Sequence, residues 1–212
     1  LENESVWIHM EYKLLLELLR CELYEEFYQT LHEVLIPFLK PEQYGRSVLE
    51  NSSFIVSSAH EDQSLHGQGF VARLSGSTAE FVHIWLWMNV GKDPFASGPK
   101  GEITFAPKPA LAGELFTKKK CVLEYLNSEN VRKTAMLPEN CYAFNLFGST
   151  LMVYHNPKRR NTFGPDKPSI KEIHLTYPQR KQPIVVSASS VSGVHAQDIR
   201  NQKVERIDVF FQ

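Results

Sequence analysis

The chain is organised around His66-Gly-Gln-Gly-Phe-Val-Ala-Arg-Leu-Ser-Gly-Ser-Thr-Ala-Glu-Phe81, where a glycine-containing loop leads directly into a helix. Ser77-Thr-Ala-Glu80 has the spacing of a capping box, in which the serine and glutamate side chains satisfy two main-chain amides of the first turn. The sequence therefore predicts a helix that starts at Ser77. Its apolar residues are spread too widely for a surface helix, which predicts packing on several sides. They are Phe81, Val82, Ile84, Trp85, Leu86 and Met88.

The residues just before this helix have the chemistry of an anion site. Arg73 supplies a cation, Ser75 supplies a hydroxyl, and Gly76 has no side chain to keep a ligand away from main-chain amides. A helix start adds unpaired amides and the positive end of the helix dipole, which suits a phosphate or a carboxylate. The alternative is an ordinary capped core helix behind a flexible loop, and the local sequence favours it because glycine-rich loops before helices are common.

The first part of the chain is predicted to be helical from residue 5 to about residue 36. One helix of that length would be unusual in a globular domain, so a break near Arg20-Cys21-Glu22 and two antiparallel helices are favoured. Pro37 is expected to end the second helix. The apolar residues that set the helical spacing are Met10, Leu14, Leu15, Leu18, Leu19, Leu23, Phe27, Leu31 and Leu35.

Two features of this region leave alternatives open. His9 lies in the first turns of the first helix, and a lone histidine there is more often a packed or solvated residue than a ligand. Residues 49–59 are rich in small hydroxyl side chains and predict a short extended or irregular stretch. That stretch either runs beside a pocket or is a plain loop.

Beyond Gly91-Lys-Asp-Pro94, which supplies a capping glycine and a stopping proline, the apolar period changes from helical to two. The change predicts a helical domain over residues 1–94 and a β domain over residues 95–212. Short strands separated by turn signals predict an antiparallel β-sandwich or jelly roll, with a two-residue hairpin turn at Gly148-Ser149. The predicted strands are 103–106, 115–117, 121–125, 142–147, 150–154, 170–175, 183–187 and 204–210.

The composition excludes several classes of function. The net charge of −1, with Lys118-Lys-Lys120 as the only basic cluster, gives no footprint for nucleic acid. No apolar segment is long enough to span a bilayer, and Leu1-Glu-Asn-Glu4 does not resemble a signal peptide. The widely spaced Cys21, Cys121 and Cys141 are expected to be reduced structural thiols. The histidines form no zinc-binding pattern, so we predict no metal.

Four stretches of the sequence have a pattern in common with a known family. They are Glu2-Asn-Glu-Ser-Val-Trp-Ile-His9, Glu50-Asn-Ser-Ser-Phe-Ile-Val-Ser-Ser58, Arg73-Leu-Ser-Gly-Ser-Thr-Ala-Glu-Phe81 and Tyr154-His-Asn-Pro157. Together they resemble the C-terminal part of the cellobiose-phosphorylase-like family, and most of all the large bacterial proteins related to β-1,2-oligoglucan phosphorylase. The resemblance covers nearly the whole chain.

The resemblance implies an α+β arrangement that is the C-terminal piece of a larger enzyme. Residues 1–94 would be the final helices of an (α/α) six-hairpin barrel, and residues 95–212 an antiparallel β-sandwich of the jelly-roll type. The family reaction is reversible phosphorolysis of a β-glucosidic bond with inversion, which gives α-glucose 1-phosphate and a shortened oligoglucan. Inorganic phosphate is then a co-substrate, and no cofactor is expected.

The resemblance also implies roles for individual residues. By motif, His9, Ser75 and Gly76 contact phosphate, while Arg73 adds charge there on chemical grounds alone, without a matching motif. Glu2 is the acidic member of a Glu-Asn pair and is implied to contact sugar hydroxyls. The family's general acid and its phosphate-binding arginine lie upstream of residue 1, so we expect no catalytic acid in this chain and no activity from the chain alone.

Alternative functions remain open at this stage. One alternative is that the β domain is a non-catalytic carbohydrate-binding module that holds sugar on exposed aromatic rings such as Tyr142, Phe144 or Tyr154, although these rings alternate as core residues do. It is otherwise a purely structural domain. Ala79-Glu-Phe81 stands where Gly-Trp is commoner in the family, which leaves the sugar specificity open.

The expected partners are a β-linked glucose oligosaccharide, phosphate and the upstream part of the same enzyme, with a homodimer as one candidate assembly. Neither nucleic acid nor a membrane is expected as a partner. Phosphorolysis is useful where phosphate is plentiful and sugar phosphates are retained, so the expected location is the cytoplasm.

Overall fold

The computed structural model describes residues 3–72, 77–127 and 129–212. Its backbone is a mixed α+β arrangement, which confirms the predicted class at that level. The chain forms two compact units, Leu1–Met88 and Asn89–Gln212. Within the described ranges, no helix is both long enough and apolar enough to cross a bilayer.

The first unit opens on a short strand, so the prediction of helix from residue 5 is wrong at its start. Strand β1 (Val6–Trp7) pairs antiparallel with Phe54 and Ile55. Helix α1 (Ile8–Arg20) follows it directly. The extended conformation is favoured here because the two residues complete a sheet that local helical spacing does not reveal.

A break separates α1 from α2 (Tyr24–Val34), as predicted. Glu22 has a left-handed φ of 58°, and the amide of Leu23 donates to the carbonyl of Leu18 at 2.9 Å. The amide of Glu22 donates to the carbonyl of Leu19 at 3.2 Å. These two bonds form a Schellman motif, which ends the helix by satisfying its last carbonyl groups. Pro37 lies beyond α2, in a 3₁₀ turn over Ile36–Phe38.

The two helices bury their apolar faces, and one buried tyrosine ties them to the following turn. The hydroxyl of Tyr12 accepts a hydrogen bond from the amide of Ile36 at 3.2 Å. The buried residues of α1 and α2 are Ile8, Tyr12, Leu15, Leu16, Leu19, Phe27, Tyr28, Leu31 and Val34.

A small antiparallel sheet completes this unit, in the order β1, β2 (Ser52–Ile55) and β3 (Gly69–Ala72). Between α2 and β2 lies the short helix α3 (Pro41–Tyr44), which presents the buried Tyr44 to the sheet. The Tyr44 hydroxyl donates to the carbonyl of Glu50 and lies 2.7 Å from the hydroxyl of Ser52. This network holds the start of β2 in place.

Helix α4 (Ser77–Val90) begins at the predicted residue and ends before Gly91, which has a φ of +92°. Ile84 and Met88 are buried, but Val82 is 50% exposed. The prediction of packing on several sides is therefore wrong for the face that carries Val82. The helix has more apolar residues than its neighbours cover.

The second unit is mainly β. In chain order its elements are β4 (Phe95–Ser97), β5 (Ile103–Phe105), β6 (Cys121–Leu126), β7 (Arg132–Leu137), β8 (Cys141–Leu146), β9 (Thr150–His155), β10 (Ile170–Thr176), β11 (Ile184–Val186), β12 (Val191–Ser192), α5 (Val194–Arg200) and β13 (Arg206–Phe211). Seven predicted strands are present. The eighth, 115–117, is wrong because a 3₁₀ turn over Gly113–Leu115 lies there.

The largest sheet has the order β11, β10, β13, β9, β8. Strand β13 pairs parallel with β9, whereas the other neighbours in this sheet are antiparallel. The sheet is therefore mixed, and the prediction of a wholly antiparallel arrangement is wrong at this pair. β9 is an interior strand, and four of its residues are fully buried: Leu151, Met152, Val153 and Tyr154.

Two smaller sheets accompany it. One has the order β12, β5, β4, and the other is the β6–β7 hairpin. Cys121, Leu123 and Tyr125 of the hairpin pack against a buried cluster that includes Leu151 and Val153 of β9. Every second residue of β6 faces that cluster, as the period of a strand requires.

The hairpin loop between β8 and β9 has three residues, Phe147-Gly148-Ser149, so it starts one residue earlier than the predicted two-residue turn. Phe147 and Gly148 have φ values of 54° and 72°, and the amide of Ser149 donates to the carbonyl of Leu146. Positive φ at both central residues is the pattern of a type I′ turn. The turn is thus centred on Phe147-Gly148, although Phe147 is not a residue that this conformation favours.

Candidate functional site

One residue of the predicted anion site, His9, lies in the described part of the chain. Glu2, Arg73, Ser75 and Gly76 lie outside it, so their contacts stay predictions. His9 is the second residue of α1, and its side chain is 40% exposed. An imidazole in this position can meet a ligand from solvent.

His9 lies beside the first turn of α4. Its Nε2 atom is 3.6 Å from Oε1 of Glu80, the fourth residue of that helix. The distance is that of an ion pair and is too long for a hydrogen bond. In the sequence, Glu80 comes four residues after Gly76. The fold thus brings the predicted histidine to the helix that, in the sequence, directly follows Arg73, Ser75 and Gly76.

Glu80 is more buried than its role in a capping box requires. Its side chain is only 18% exposed, and Oε2 is buried without a hydrogen-bond partner among the residues that the structure describes. A buried acceptor without a partner is uncommon in folded proteins and calls for an explanation. The sequence assigned Glu80 to the capping box alone, and the structure adds its contact with His9.

A second contact fixes the start of α4 from the other side. The Nδ2 group of Asn51 donates to the hydroxyl of Ser77 at 2.8 Å, and Ser77 is fully buried. Asn51 immediately precedes β2, so the small sheet sets the position of this helix start. The sequence offered Asn51 only as part of a motif and gave no sign of this bond.

A cavity of about 150 Å³ adjoins this contact. Its lining includes Tyr12, Leu49, Asn51, Ser77 and Phe81 and is mostly apolar. Of the two interpretations of residues 49–59, the start of this stretch therefore fits the one in which it runs beside a pocket. The apolar lining is better suited to packing than to holding a free anion.

A larger cavity of about 320 Å³ lies between α1 and α4. Its charged and titratable lining residues are Lys13, Glu17, Arg20, Glu80 and His83. Glu17 and Arg20 form an ion pair with each other. Glu80 thus lines a polar cavity as well as contacting His9.

The second unit contains a buried polar chain that the sequence did not reveal. Sγ of Cys141 lies 3.1 Å from Nδ1 of His155, and Nε2 of His155 lies 2.7 Å from Oδ1 of Asp208. Arg206 donates two hydrogen bonds to the same carboxylate, each of 2.7 Å. The order thiol, imidazole, carboxylate is that of an activated cysteine nucleophile.

The contacts among Cys141, His155 and Asp208 nevertheless have a structural role. Cys141 is 1% exposed, and burial raises the pKa of its thiol to about 11. A nucleophilic cysteine needs a lowered pKa and access to substrate, and Cys141 has neither. The ring of His155 is also stacked on Phe210, with ring centres 4.3 Å apart. These contacts join β8, β9 and β13, which is a role in stability.

The aromatic residues considered for sugar binding do not form an exposed row. Phe144 is 6% exposed and Tyr154 is fully buried. The Tyr154 hydroxyl donates to the carbonyl of Asn89 at 2.7 Å. Tyr142 is partly buried, and burial raises the pKa of its phenol. These rings pack within the second unit as core residues.

Among the residues that the structure describes, no group of three or more histidine, cysteine, aspartate or glutamate side chains is arranged to hold a metal ion. The cysteines, Cys21, Cys121 and Cys141, are free thiols. No family model matches this chain, and no curated protein matches it.

Proposed function

We propose that this chain is the C-terminal part of an inverting glycoside phosphorylase that cleaves β-glucosidic bonds of oligoglucans with inorganic phosphate. The first unit supplies part of the phosphate site. The second unit is a β-sandwich of the jelly-roll type with a supporting role. The helices α1, α2 and α4 belong to the last hairpins of an (α/α) six-hairpin barrel whose other helices come from the upstream part of the enzyme.

The observation that supports this proposal is the position of His9. A residue at the start of α1 lies 3.6 Å from the first turn of α4, although the two are far apart in sequence. The family resemblance requires the same two segments, through His9 and through Ser75 with Gly76. An arrangement with His9 remote from α4 would have left the resemblance without physical support.

The chemistry follows from the nucleophile. An inverting hydrolase needs an acid for the leaving oxygen and a base for water. Phosphate is already an anion, so the base is replaced by a site that holds phosphate without consuming its attacking oxygen. Fixed donors do this by position and charge. In this proposal His9 donates from its ring, Ser75 from its hydroxyl and Gly76 from its main-chain amide.

Other residues have supporting roles in the proposal. Arg73 adds positive charge beside the phosphate, and Glu2 accepts hydrogen bonds from sugar hydroxyls. The proton for the leaving oxygen comes from a carboxylic acid in the upstream part of the enzyme. The reaction is placed in the cytoplasm, where phosphate is available.

The first test measures phosphate binding by the 212-residue chain. NMR signals of labelled amides and histidine rings detect the binding. We expect the signals of Ser75, Gly76 and His9 to shift, with a dissociation constant on the order of millimolar. His9→Ala removes one charge-assisted hydrogen bond and should weaken binding roughly tenfold. His83→Ala is the matched control, because His83 is an exposed histidine on α4, about one turn after Glu80. Equal binding by both variants would contradict the proposal.

The second test is activity. We expect the chain alone to release no α-glucose 1-phosphate from β-linked glucose oligosaccharides and phosphate, because it lacks the proton donor. Addition of the upstream segment should restore release, measured by an enzymatic assay for the sugar phosphate. Phosphorolysis by the chain alone would show that it contains its own acid and would refute the assignment.

A further inference from the structure

Glu80 is the residue for which the phosphorylase assignment gives no role. It is a mostly buried carboxylate, and the ion pair that the described residues give it is with His9. Its second oxygen is buried and has no hydrogen-bond partner within the described ranges of the chain. A carboxylate in this state favours a protonated partner, because it otherwise keeps a negative charge away from water without compensation.

We propose that Glu80 is a positioning residue for His9. The Glu80 carboxylate holds the His9 ring with Nε2 toward it, so that Nδ1 of His9 contacts the oxyanion. This inference rests on the proposed function for the identity of the oxyanion. The orientation itself rests on the Nε2–Oε1 distance of 3.6 Å. In an imidazole, the partner of one ring nitrogen decides what the other nitrogen can do.

The pairing also determines which ring nitrogen is left for the ligand. When the ring is an imidazolium, both nitrogens carry protons. Nδ1–H can then donate a charge-assisted hydrogen bond to phosphate. A neutral ring with its proton on Nε2 would present only a lone pair at Nδ1 and would repel a dianion.

The Glu80 carboxylate also has an effect that opposes phosphate binding, because a carboxylate near an anion site repels the anion. The two effects predict opposite results when the charge is removed. If repulsion dominates, Glu80→Gln binds phosphate more tightly. If positioning dominates, the same variant binds phosphate more weakly. Glutamine has nearly the same shape as glutamate, so packing changes little.

The experiment measures the His9 ring directly in histidine-labelled protein, by long-range ¹H–¹⁵N correlation, in wild type and in Glu80→Gln. Without phosphate, we expect the neutral fraction of wild-type His9 to carry its proton on Nε2 in preference to Nδ1, and Glu80→Gln to lose that preference. With phosphate bound, we expect both ring nitrogens of wild-type His9 to carry protons. With phosphate, we expect Glu80→Gln to bind roughly fivefold more weakly, the scale of one partly exposed ion pair. Tryptophan fluorescence verifies folding, since Trp7, Trp85 and Trp87 all lie in the first unit.

Glu17→Gln is the matched control, because Glu17 lines the same cavity but pairs with Arg20. It should leave the His9 ring signals unchanged. Unchanged His9 signals in Glu80→Gln, or tighter phosphate binding by that variant, would overturn the positioning role. If Glu80→Gln alters the His9 tautomer but wild type does not bind phosphate, the positioning of His9 stands and the proposed function fails.

Discussion

Asp208→Asn is expected to lower the free energy of unfolding of the second unit by about 3 kcal/mol, as for other broken buried ion pairs. The Asp208 carboxylate accepts hydrogen bonds from Arg206 and from His155. Asparagine keeps the shape but loses the charge, and it turns an NH₂ group toward donors. The change can be measured by hydrogen exchange of the amides of β9 and β13 in urea. Asp166→Asn, at an exposed position, is the control and should change little.

The same carboxylate should make stability depend on pH in the acid range. Burial alone would raise the pKa of Asp208, but hydrogen bonds from His155 and Arg206 outweigh burial and lower it. The stabilisation is therefore fully present above the unfolded carboxyl pKa of about 3.9. It is lost as the pH falls through the lower folded pKa. The difference between wild type and Asp208→Asn should accordingly shrink below about pH 4. A constant difference would contradict this account.

Gly113→Ala is expected to destabilise the second unit by about 3 kcal/mol, at the upper end of the usual cost of overpacking. A Cβ atom at this position would lie 2.0 Å from the carbonyl oxygen of Arg159. That carbonyl belongs to main chain and cannot rotate away as a side chain can. Its segment is held by hydrogen bonds from the Arg159 amide to Asn156 and from the Thr162 amide to Leu111. Thermal unfolding followed by circular dichroism measures the loss.

The control for this substitution is Gly101→Ala. No atom of the described residues lies within 4 Å of a Cβ built at Gly101, but its φ is +78°. It should therefore lose only the conformational preference of glycine, about 1 kcal/mol. Equal losses at the two positions would mean that the Arg159 segment moves aside easily.

Much of the secondary structure could be predicted from local pattern. The break between α1 and α2 follows from helix length, and the start of α4 follows from its serine and glutamate. Strand β7 was not predicted, because apolar and polar residues do not alternate along Arg132-Lys-Thr-Ala-Met-Leu137. The parallel pairing of β13 with β9 could not be predicted, because the two strands are distant in sequence and each has the same period in either direction.

The misplaced hairpin turn shows why small errors of this kind matter for a site. A turn at Gly148-Ser149 would have put Cys141 opposite Asn156. The observed loop has three residues, Phe147-Gly148-Ser149, and Cys141 lies opposite His155 instead. A shift of one residue changes every cross-strand partner. The thiol–imidazole contact was therefore within reach of sequence reasoning, but the contact with Asp208 depended on the parallel strand.

For the candidate site, the sequence predicted residue types better than contacts. The role of His9 was predicted through the family resemblance, and that of Glu80 through the capping box. Their proximity depends on how α1 and α4 pack, which no local pattern contains. The buried Oε2 of Glu80 is likewise a property of packing, so the capping box was the only role that the sequence could give this residue.

The position of β13 in the largest sheet has a consequence for the order in which the second unit can form. β13 joins the β8–β9 hairpin to the β10–β11 hairpin, yet it is made after both. During synthesis each hairpin waits with an open hydrogen-bonding edge until Arg206–Phe211 inserts between them. Such edges invite pairing with other chains, and insertion closes a long loop, which slows folding. Nascent chains of this protein are thus most prone to misassembly shortly before β13 is synthesised.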